Sequence, residues 1–265
     1  MARYGFAPMD RQGEKMHTPE HVAVVLAAGK GTRMKSELPK VLIPVCGRPM
    51  IEFVLEALRA GGIDRIIVVV GYRADLVRET LAGQPKVSFV DQTEQLGTGH
   101  AVMVCRPELA GHDGAVMVVT GDSPLIQVDS IQALLGLYDR EHPAGIIGTA
   151  YNENPEGLGR IVRDAAGEFQ AIVEHKDATE EQRRITEVNM STYVFDNRKL
   201  LWGLDKLTTN NSQREYYITD CAGILRGAGE DVRALAVLKP CEALSINTFD
   251  QLAAVEEEMH RLGLG

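Results

Sequence analysis

The chain has 265 residues, of which 45% are hydrophobic and 25% are charged, as in an ordinary globular protein with a substantial core. Its formal net charge of −9 argues against nucleic acid as a partner, because a phosphate backbone requires a basic face. The apolar runs are only of strand length, so we predict no transmembrane helix and no membrane partner. The four cysteines form no CxxC pair and residues 1–20 do not resemble an export signal, so we expect a cytoplasmic protein with free thiols.

Strands and helices are predicted to alternate through the first half of the chain. Apolar, mostly β-branched runs predict buried strands, and apolar residues at helical spacing predict the helices between them. The predicted strands are 22–26, 66–70, 87–90 and 115–120, and the predicted helices are 49–60, 74–81, 101–105 and 130–141. Because the strands are apolar throughout, we predict a Rossmann-like α/β fold with a doubly wound, mixed but mostly parallel sheet.

In the second half of the chain, the predicted strands and helices no longer alternate regularly. A strand at 145–151 is followed by two segments, 159–164 and 169–174, that predict a β-hairpin around Gly167. Further strands are predicted within 187–196 and 233–238, and helices at 216–226 and 248–262. We interpret this half as a small β-rich lobe built onto the same sheet.

A glycine-rich, cationic loop follows the first strand. The strand ends on Leu26, Ala27 and Ala28, and residues 29–34 (GKGTRM) come next. Glycines allow close approach of the backbone to a ligand, and successive amides near Lys and Arg form an anion nest. The loop therefore predicts a phosphate-bearing ligand. A dinucleotide fingerprint is excluded because Met34 stands at the third glycine position, and the spacing of a P-loop does not occur.

Two further loops follow predicted parallel strands. Residues 91–100 follow the third strand and residues 121–125 follow the fourth. Ligands of such sheets bind beyond the carboxyl ends of the strands, so we expect all three loops to form one site.

The motifs in these loops resemble a known family. Residues 26–34, with Pro39 and Lys40 after them, resemble the signature of the sugar-1-phosphate nucleotidyltransferases. Residues 92–100 (QTEQLGTGH) resemble, within that family, the uridylyltransferase domains that make UDP-N-acetylglucosamine. The resemblance implies the nucleotide-diphospho-sugar transferase fold, with UTP and N-acetylglucosamine-1-phosphate as substrates and Mg²⁺ as cofactor. Two alternatives stay open: another pair of substrates (glucose-1-phosphate, or dTTP or CTP), and a non-catalytic regulator that binds sugar nucleotides.

The resemblance also implies the site residues. Arg33 and Lys40 are implied as catalytic, and Asp122 and Asn247 as metal ligands. The implied nucleotide-binding residues are Leu26, Ala27, Ala28, Gly29, Gly31, Thr32, Arg33, Lys40, Gln92, Gly97, Thr98 and Asp122. The implied sugar-binding residues are Gly159, Glu174, Asn189 and Thr219.

Residue chemistry is compatible with these roles, although each residue has a structural alternative. An amide such as Gln92 can pair with a donor and an acceptor on a base edge, and Mg²⁺ takes one or two protein oxygens such as those of Asp122. Asp122 alone would often be a turn residue, and Asn247 a helix N-cap. We interpret His100 and His175 as structural or supporting residues.

The resemblance divides the chain and also shows where the chain departs from the family. We expect an N-terminal extension over 1–20 and one domain over 21–265, with a nucleotide-binding half (about 21–143), a sugar-binding lobe (about 144–246) and a C-terminal helix (about 247–265). Ser191 and Arg214 stand where the family usually has glycine, and Thr120 where an aromatic residue is common. The left-handed β-helix acetyltransferase domain of many relatives has no counterpart in this sequence, so we expect no acetyl transfer from it.

Overall fold

The computed structural model describes residues 20–31, 34, 36–244, 246 and 248–264. Of the predicted N-terminal extension, residues 1–19 lie outside this part of the chain, as do three of the implied site residues, Thr32, Arg33 and Asn247.

Eleven strands and nine α-helices are found in the described residues. The strands are β1 (Val22–Ala27), β2 (Pro44–Val45), β3 (Arg48–Pro49), β4 (Arg65–Val70), β5 (Val87–Asp91), β6 (Ala115–Thr120), β7 (Gly145–Tyr151), β8 (Gly159–Arg163), β9 (Phe169–Val173), β10 (Glu187–Asp196) and β11 (Val232–Leu235). The helices are α1 (Met50–Ala60), α2 (Ala74–Thr80), α3 (Thr98–Met103), α4 (Arg106–Leu109), α5 (Val128–Glu141), α6 (Glu180–Arg183), α7 (Asn197–Leu204), α8 (Ile218–Gly227) and α9 (Phe249–Leu262). Lys40–Leu42 and Pro240–Ala243 form 3₁₀ turns.

One central sheet runs through both halves of the chain, in the order β11-β7-β10-β6-β1-β4-β5. β1 pairs in parallel with β4 and β6, and β4 pairs in parallel with β5. β10 is antiparallel to both of its neighbours, β6 and β7. The predicted α/β fold with a mixed, mostly parallel sheet is confirmed.

The sheet is covered on both faces, which explains why its inner strands are apolar throughout. Along β1, Ala23 and Val25 belong to the hydrophobic cluster that includes residues of α1 and α5. Val22 and Val24 belong to a second cluster with residues of α3, α7 and α8. Because successive side chains of a strand point to opposite faces, a strand covered on both sides must be apolar at every position.

The predicted hairpin is also confirmed. β8 and β9 pair antiparallel, and β8 continues onto β10 through Val188↔Arg160 and Asn189↔Gly159. This pairing extends the main sheet sideways and places the hairpin beside the strand that carries Asn189.

Helix starts are where the sequence predictions were wrong. Pro49 was predicted as the first residue of α1, but it has ψ 127° and pairs with Pro44 in a short antiparallel ribbon, so the helix begins at Met50. α3 begins three residues earlier than predicted, directly after Gly97, which has φ +109°. α8 begins at Ile218 instead of 216. Helix α7 was not predicted; Asp196 caps it by accepting a hydrogen bond from the Lys199 amide at 3.0 Å.

The loops after β1, β5 and β6 lie at the same edge of the sheet, as predicted, because these three strands are parallel members of one sheet.

In the described part of the chain, no helix has both the length and the apolar character that a membrane span requires.

Candidate active site

The glycine-rich loop packs directly against the turn that carries Lys40. Ala27 and Ala28 are buried at the end of β1, whereas Gly29 is exposed. Gly31 has φ +66°, and a Cβ atom at this position would lie 2.7 Å from the Cβ of Lys40. Glycine is therefore favoured at position 31 both by its backbone conformation and by the close approach of the Lys40 side chain. Leu26 anchors the neighbouring loop, because its carbonyl oxygen accepts a hydrogen bond from the Gly121 amide at 2.9 Å.

Lys40 and Asp122 meet at the carboxyl ends of β1 and β6. The Lys40 ammonium group donates to Oδ2 of Asp122 and forms an ion pair with it. The two side chains are 15% and 27% exposed, so the pair is partly shielded from water but open to a ligand. The carboxylate of Asp122 thus has a cationic partner, the ammonium group of Lys40. Asn247, the other implied metal ligand, lies outside the described residues.

Gln92 is held in place by its neighbours in the loop after β5. It is 4% exposed, and its Nε2 donates to the carbonyl oxygen of Gly97 at 3.0 Å. The same nitrogen lies 3.1 Å from Nδ1 of His100. His100 thus supports Gln92, which is the supporting role that the sequence suggested for this histidine.

Gly97 and Thr98 join this loop to the segment before α8. The Thr98 hydroxyl accepts a hydrogen bond from the Ile218 amide at 3.1 Å, and the Gly99 amide donates to the Tyr216 carbonyl oxygen at 2.7 Å. A Cβ atom on Gly97 would lie 2.5 Å from that carbonyl oxygen. The implied base-binding loop and the start of α8 are therefore fixed to one another.

The four implied sugar-binding residues come together from β8, the residue directly after β9, β10 and α8. Asn189 pairs with Gly159 across the two strands, and a Cβ atom on Gly159 would lie 3.4 Å from the Asn189 Cβ and 3.6 Å from Oε2 of Glu174. The Thr219 hydroxyl donates to Oε1 of Glu174 at 3.3 Å. These residues span 60 positions of sequence, from 159 to 219, and form one group of polar side chains.

The electrostatic environment of this group is unusual. Burial raises the pKa of Glu174, and the nearby Asp220 and Asp177 raise it further, while the hydrogen bond from Thr219 acts in the opposite direction. The neighbouring Arg160 is 1% exposed and donates to the carbonyl oxygen of Arg183 at 3.3 and 3.4 Å. Burial lowers the pKa of Arg160.

His175 lies between this buried guanidinium group and the site. Its Nδ1 is 3.4 Å from Nη2 of Arg160, which can only donate. A hydrogen bond between these two atoms therefore requires Nδ1 to be the acceptor.

A cavity of about 880 Å³ connects the glycine-rich loop with the β-rich lobe. Small-molecule sites commonly have volumes of about 300–1,000 Å³. The residues that line it are Gly29, Gly31, Lys40, Gly157, Glu174, His175, Lys176, Gln213, Glu215 and Tyr217. Three of them were implied as nucleotide-binding and one as sugar-binding, so a single cavity is lined by residues of both implied binding sites.

The cavity wall includes residues to which the sequence assigned no role. Lys176 donates to the side chain of Gln213, and the Ser212 amide donates to Oδ1 of Asp177 at 3.1 Å. These contacts join the segment after β9 to the segment before α8. In and just after this second segment, the resemblance singled out only Arg214, as a departure from the family, and Thr219 of α8.

The positions where the chain departs from the family have distinctive backbones. Ser191 and Arg214, which stand where glycine is usual, have φ +52° and φ +55°. Thr120 lies at the end of β6, where its hydroxyl hydrogen-bonds the Ser123 hydroxyl at 2.8 Å. The left-handed conformation that favours glycine is thus retained at two positions that now carry a side chain.

Comparisons with known proteins agree with this architecture. The family model described as "MobA-like NTP transferase domain" matches residues 23–201. The "Bifunctional protein GlmU" of Listeria welshimeri is 47% identical over 239 residues, which are 90% of this chain and 52% of that protein. The protein of the same name from Streptococcus thermophilus is 46% identical over 241 residues, with 91% of this chain and 52% of the relative covered. The chain therefore spans about half the length of these relatives.

A solved structure with the same fold is that of a UDP-glucose pyrophosphorylase in complex with UDP-glucose. The TM-score is 0.74 at 17% sequence identity, and the match covers 92% of this chain and 100% of the other. At this level of identity the likeness establishes the shared fold.

Proposed function

Because this chain belongs to the family of MobA-like NTP transferase domains, we propose that it transfers the uridylyl group of UTP to N-acetylglucosamine-1-phosphate. The products are UDP-N-acetylglucosamine and pyrophosphate. The observation that carries the proposal is the cavity that places Lys40 and the glycine-rich loop on one side and Glu174 on the other. The choice of UTP and N-acetylglucosamine-1-phosphate rests on the resemblance of residues 92–100 to the uridylyltransferases of this family.

The proposed reaction needs no catalytic base. The second pKa of a phosphate monoester is about 6, so the sugar phosphate is already ionised at neutral pH. One of its oxygens forms a new bond to the α-phosphorus of UTP, the bond between the α-phosphorus and its bridging oxygen to the β-phosphate breaks, and pyrophosphate leaves with the electron pair. Catalysis then consists of positioning two polyanions and neutralising their charge.

Lys40 and the glycine-rich loop supply this neutralisation on the nucleotide side. The amides of the loop and Arg33 bind the β- and γ-phosphates, and Lys40 stabilises the charge that develops around the α-phosphorus. Asp122 and Asn247 would hold Mg²⁺, which would supply further charge neutralisation. The Lys40 ammonium group has three N–H donors, so it can donate to a phosphate oxygen as well as to Asp122.

The sugar phosphate binds in the β-rich lobe. The backbone at Gly159 allows close approach, Glu174 accepts hydrogen bonds from sugar hydroxyl groups, and Asn189 offers both a donor and an acceptor. Thr219 contributes its hydroxyl near the phosphate. Gln92, with Gly97 and Thr98, binds the base.

A pyrophosphate-release assay tests the proposal. Four nucleotides (UTP, dTTP, CTP and ATP) are each combined with N-acetylglucosamine-1-phosphate and glucose-1-phosphate, with and without Mg²⁺. We expect the highest kcat/KM for UTP with N-acetylglucosamine-1-phosphate and loss of turnover in Asp122→Ala. A higher kcat/KM for another pair would mean that the proposed substrates are wrong. Binding without turnover of any pair would indicate a regulator instead of an enzyme.

A further inference from the structure

Strand β10 contains an irregular turn immediately after Asn189. The pairing register with β7 shifts between Asn189 and Thr192, and Ser191 adopts φ +52° within the shift. A left-handed conformation is unfavourable for a residue with a Cβ atom. The turn is therefore maintained by interactions around it instead of by the preference of serine.

Both ends of the Asn189 amide are engaged at this turn. Its Nδ2 donates to the Tyr193 hydroxyl oxygen at 2.7 Å, and its Oδ1 accepts from the Ser191 backbone amide at 3.2 Å. A rotation of the amide by 180° would place donor against donor at Ser191, so the two contacts select one orientation. One N–H of the amide and one lone pair of its oxygen are left for other partners.

Tyr193 is a buried residue in contact with Asn189. It is 1% exposed and stacks on Phe195 with ring centroids 5.9 Å apart. Burial raises the pKa of Tyr193, and the charge of Glu174 raises it further, so the phenol keeps its proton at neutral pH.

We propose that Tyr193 and Ser191 are positioning residues, which fix the orientation of the Asn189 amide for the sugar-1-phosphate. This inference rests on the proposed function, because it deepens the role of Asn189 in that site. The hydroxyl of Tyr193 accepts from Nδ2 of Asn189, and the backbone amide of Ser191, held at φ +52°, donates to its Oδ1. These two contacts fix which side of the Asn189 amide is the donor and which is the acceptor.

Tyr193→Phe tests the first part of the proposal. Without the hydroxyl, Nδ2 of Asn189 loses its acceptor and the amide is free to turn. We expect the KM for the sugar-1-phosphate to rise by about three- to tenfold, the scale of one hydrogen bond, with the KM for the nucleotide unchanged. The matched control is Tyr138→Phe, which removes another buried hydroxyl, bonded to Asp196 at 3.2 Å on the opposite face of the sheet. Equal changes in both KM values, or equal effects of the two variants, would overturn the proposal.

Ser191→Ala and Ser191→Gly separate positioning from stability. Both remove the hydroxyl, but only glycine removes the unfavourable backbone conformation, so the Tm of the glycine variant is expected to exceed that of the alanine variant by about 2–6 °C. Because both variants keep the backbone amide that donates to Asn189, the KM for the sugar-1-phosphate should stay within about twofold of wild type in both. A KM raised about threefold or more in both variants would show that the Ser191 side chain, and not its backbone amide, orients Asn189, and would overturn this part of the proposal.

The sugar-1-phosphate used is the one that wild-type protein turns over fastest. If this is not N-acetylglucosamine-1-phosphate, the proposed substrate is wrong, but the same variants still decide whether Tyr193 and Ser191 position the acceptor.

Discussion

The ammonium group of Lys40 is ion-paired with the carboxylate of Asp122, across 82 positions of sequence. Both residues stand at the edge of the sheet where the phosphate groups of the substrates are proposed to meet. The residue proposed to contact phosphate and the residue proposed to hold metal thus neutralise each other's charge. Two of the following predictions test this relationship.

Lys40→Met is expected to lower kcat by about 10²–10³, the scale of losing one preorganised charge contact in an active site. The reason is that the charge that develops around the α-phosphorus loses the cation proposed to stabilise it. Steady-state kinetics of pyrophosphate release would measure the effect. Lys206→Ala is the control, because Lys206 lies over the ring of Trp202 and does not line the cavity described above. Near-normal turnover in Lys40→Met would remove Lys40 from the mechanism.

The same Lys40→Met variant should bind Mn²⁺ more tightly than wild type when no nucleotide is present. The ammonium group competes with a divalent cation for Asp122, and its removal leaves the carboxylate available. We expect the Kd to fall by about tenfold, which corresponds to about 1.4 kcal/mol. Electron paramagnetic resonance of free Mn²⁺ would measure it, with Asp122→Asn as the variant that abolishes the gain. Unchanged or weaker Mn²⁺ binding in Lys40→Met would contradict competition.

Gly31→Ala should lower both stability and turnover. The substitution places a Cβ atom 2.7 Å from the Lys40 Cβ, in a backbone with φ +66°. The conformation costs about 1–2 kcal/mol in free energy of unfolding, and the overlap adds about 1–3 kcal/mol. Gly83→Ala is a matched control, since it has φ +82° but meets no atom within 4 Å. Chemical denaturation of both variants would measure the free energy of unfolding, and the difference between them gives the cost of the overlap with Lys40. Equal destabilisation would show that the Lys40 turn can shift to accommodate the Cβ atom at no cost in free energy.

Glu174→Gln should change how stability depends on pH. Because burial raises the pKa of Glu174 in the folded protein, the folded state binds this proton more tightly than the unfolded state. Ionisation of Glu174 therefore destabilises the fold as pH rises from the ordinary glutamate pKa through the raised value. The variant should have a higher Tm than wild type at pH 7 and a similar Tm near pH 4.

Thermal denaturation across this pH range, with the exposed Glu168→Gln as control, checks the sign. A Tm difference that grows towards low pH would be the opposite of what a raised pKa requires. Turnover by Glu174→Gln should fall in parallel, because the amide replaces one of the acceptor oxygens proposed for the sugar hydroxyls.

Much of the fold could be predicted from local pattern. The runs that became β1, β4 and β6 are apolar at successive positions because both faces of these strands are covered, and such runs are legible in a sequence. Helix starts were less predictable. Pro49 has the chemistry of a first helical residue, yet its pairing with Pro44 in a ribbon holds it extended. α3 starts at Thr98 because the Gly97 backbone turns sharply against Tyr216, which is distant in sequence.

Part of the candidate site could likewise be predicted from the sequence, and part could not. Residue types and their spacing were enough to predict which chemical groups are available: a glycine-rich cationic loop, Lys40, the Gln92 and Gly97-Thr98 loop, Asp122, and the polar residues of the second half. The contacts between these groups could be found only in the folded chain. β10 enters the sheet antiparallel between β6 and β7, and this brings Asn189 beside Gly159 and Glu174. Strand order and register are set by burial of whole faces and by long-range pairing, which no local run of residues encodes. For the same reason the ion pair of Lys40 with Asp122, and the hydrogen bonds that orient Asn189 at the left-handed Ser191, became visible only in the folded chain.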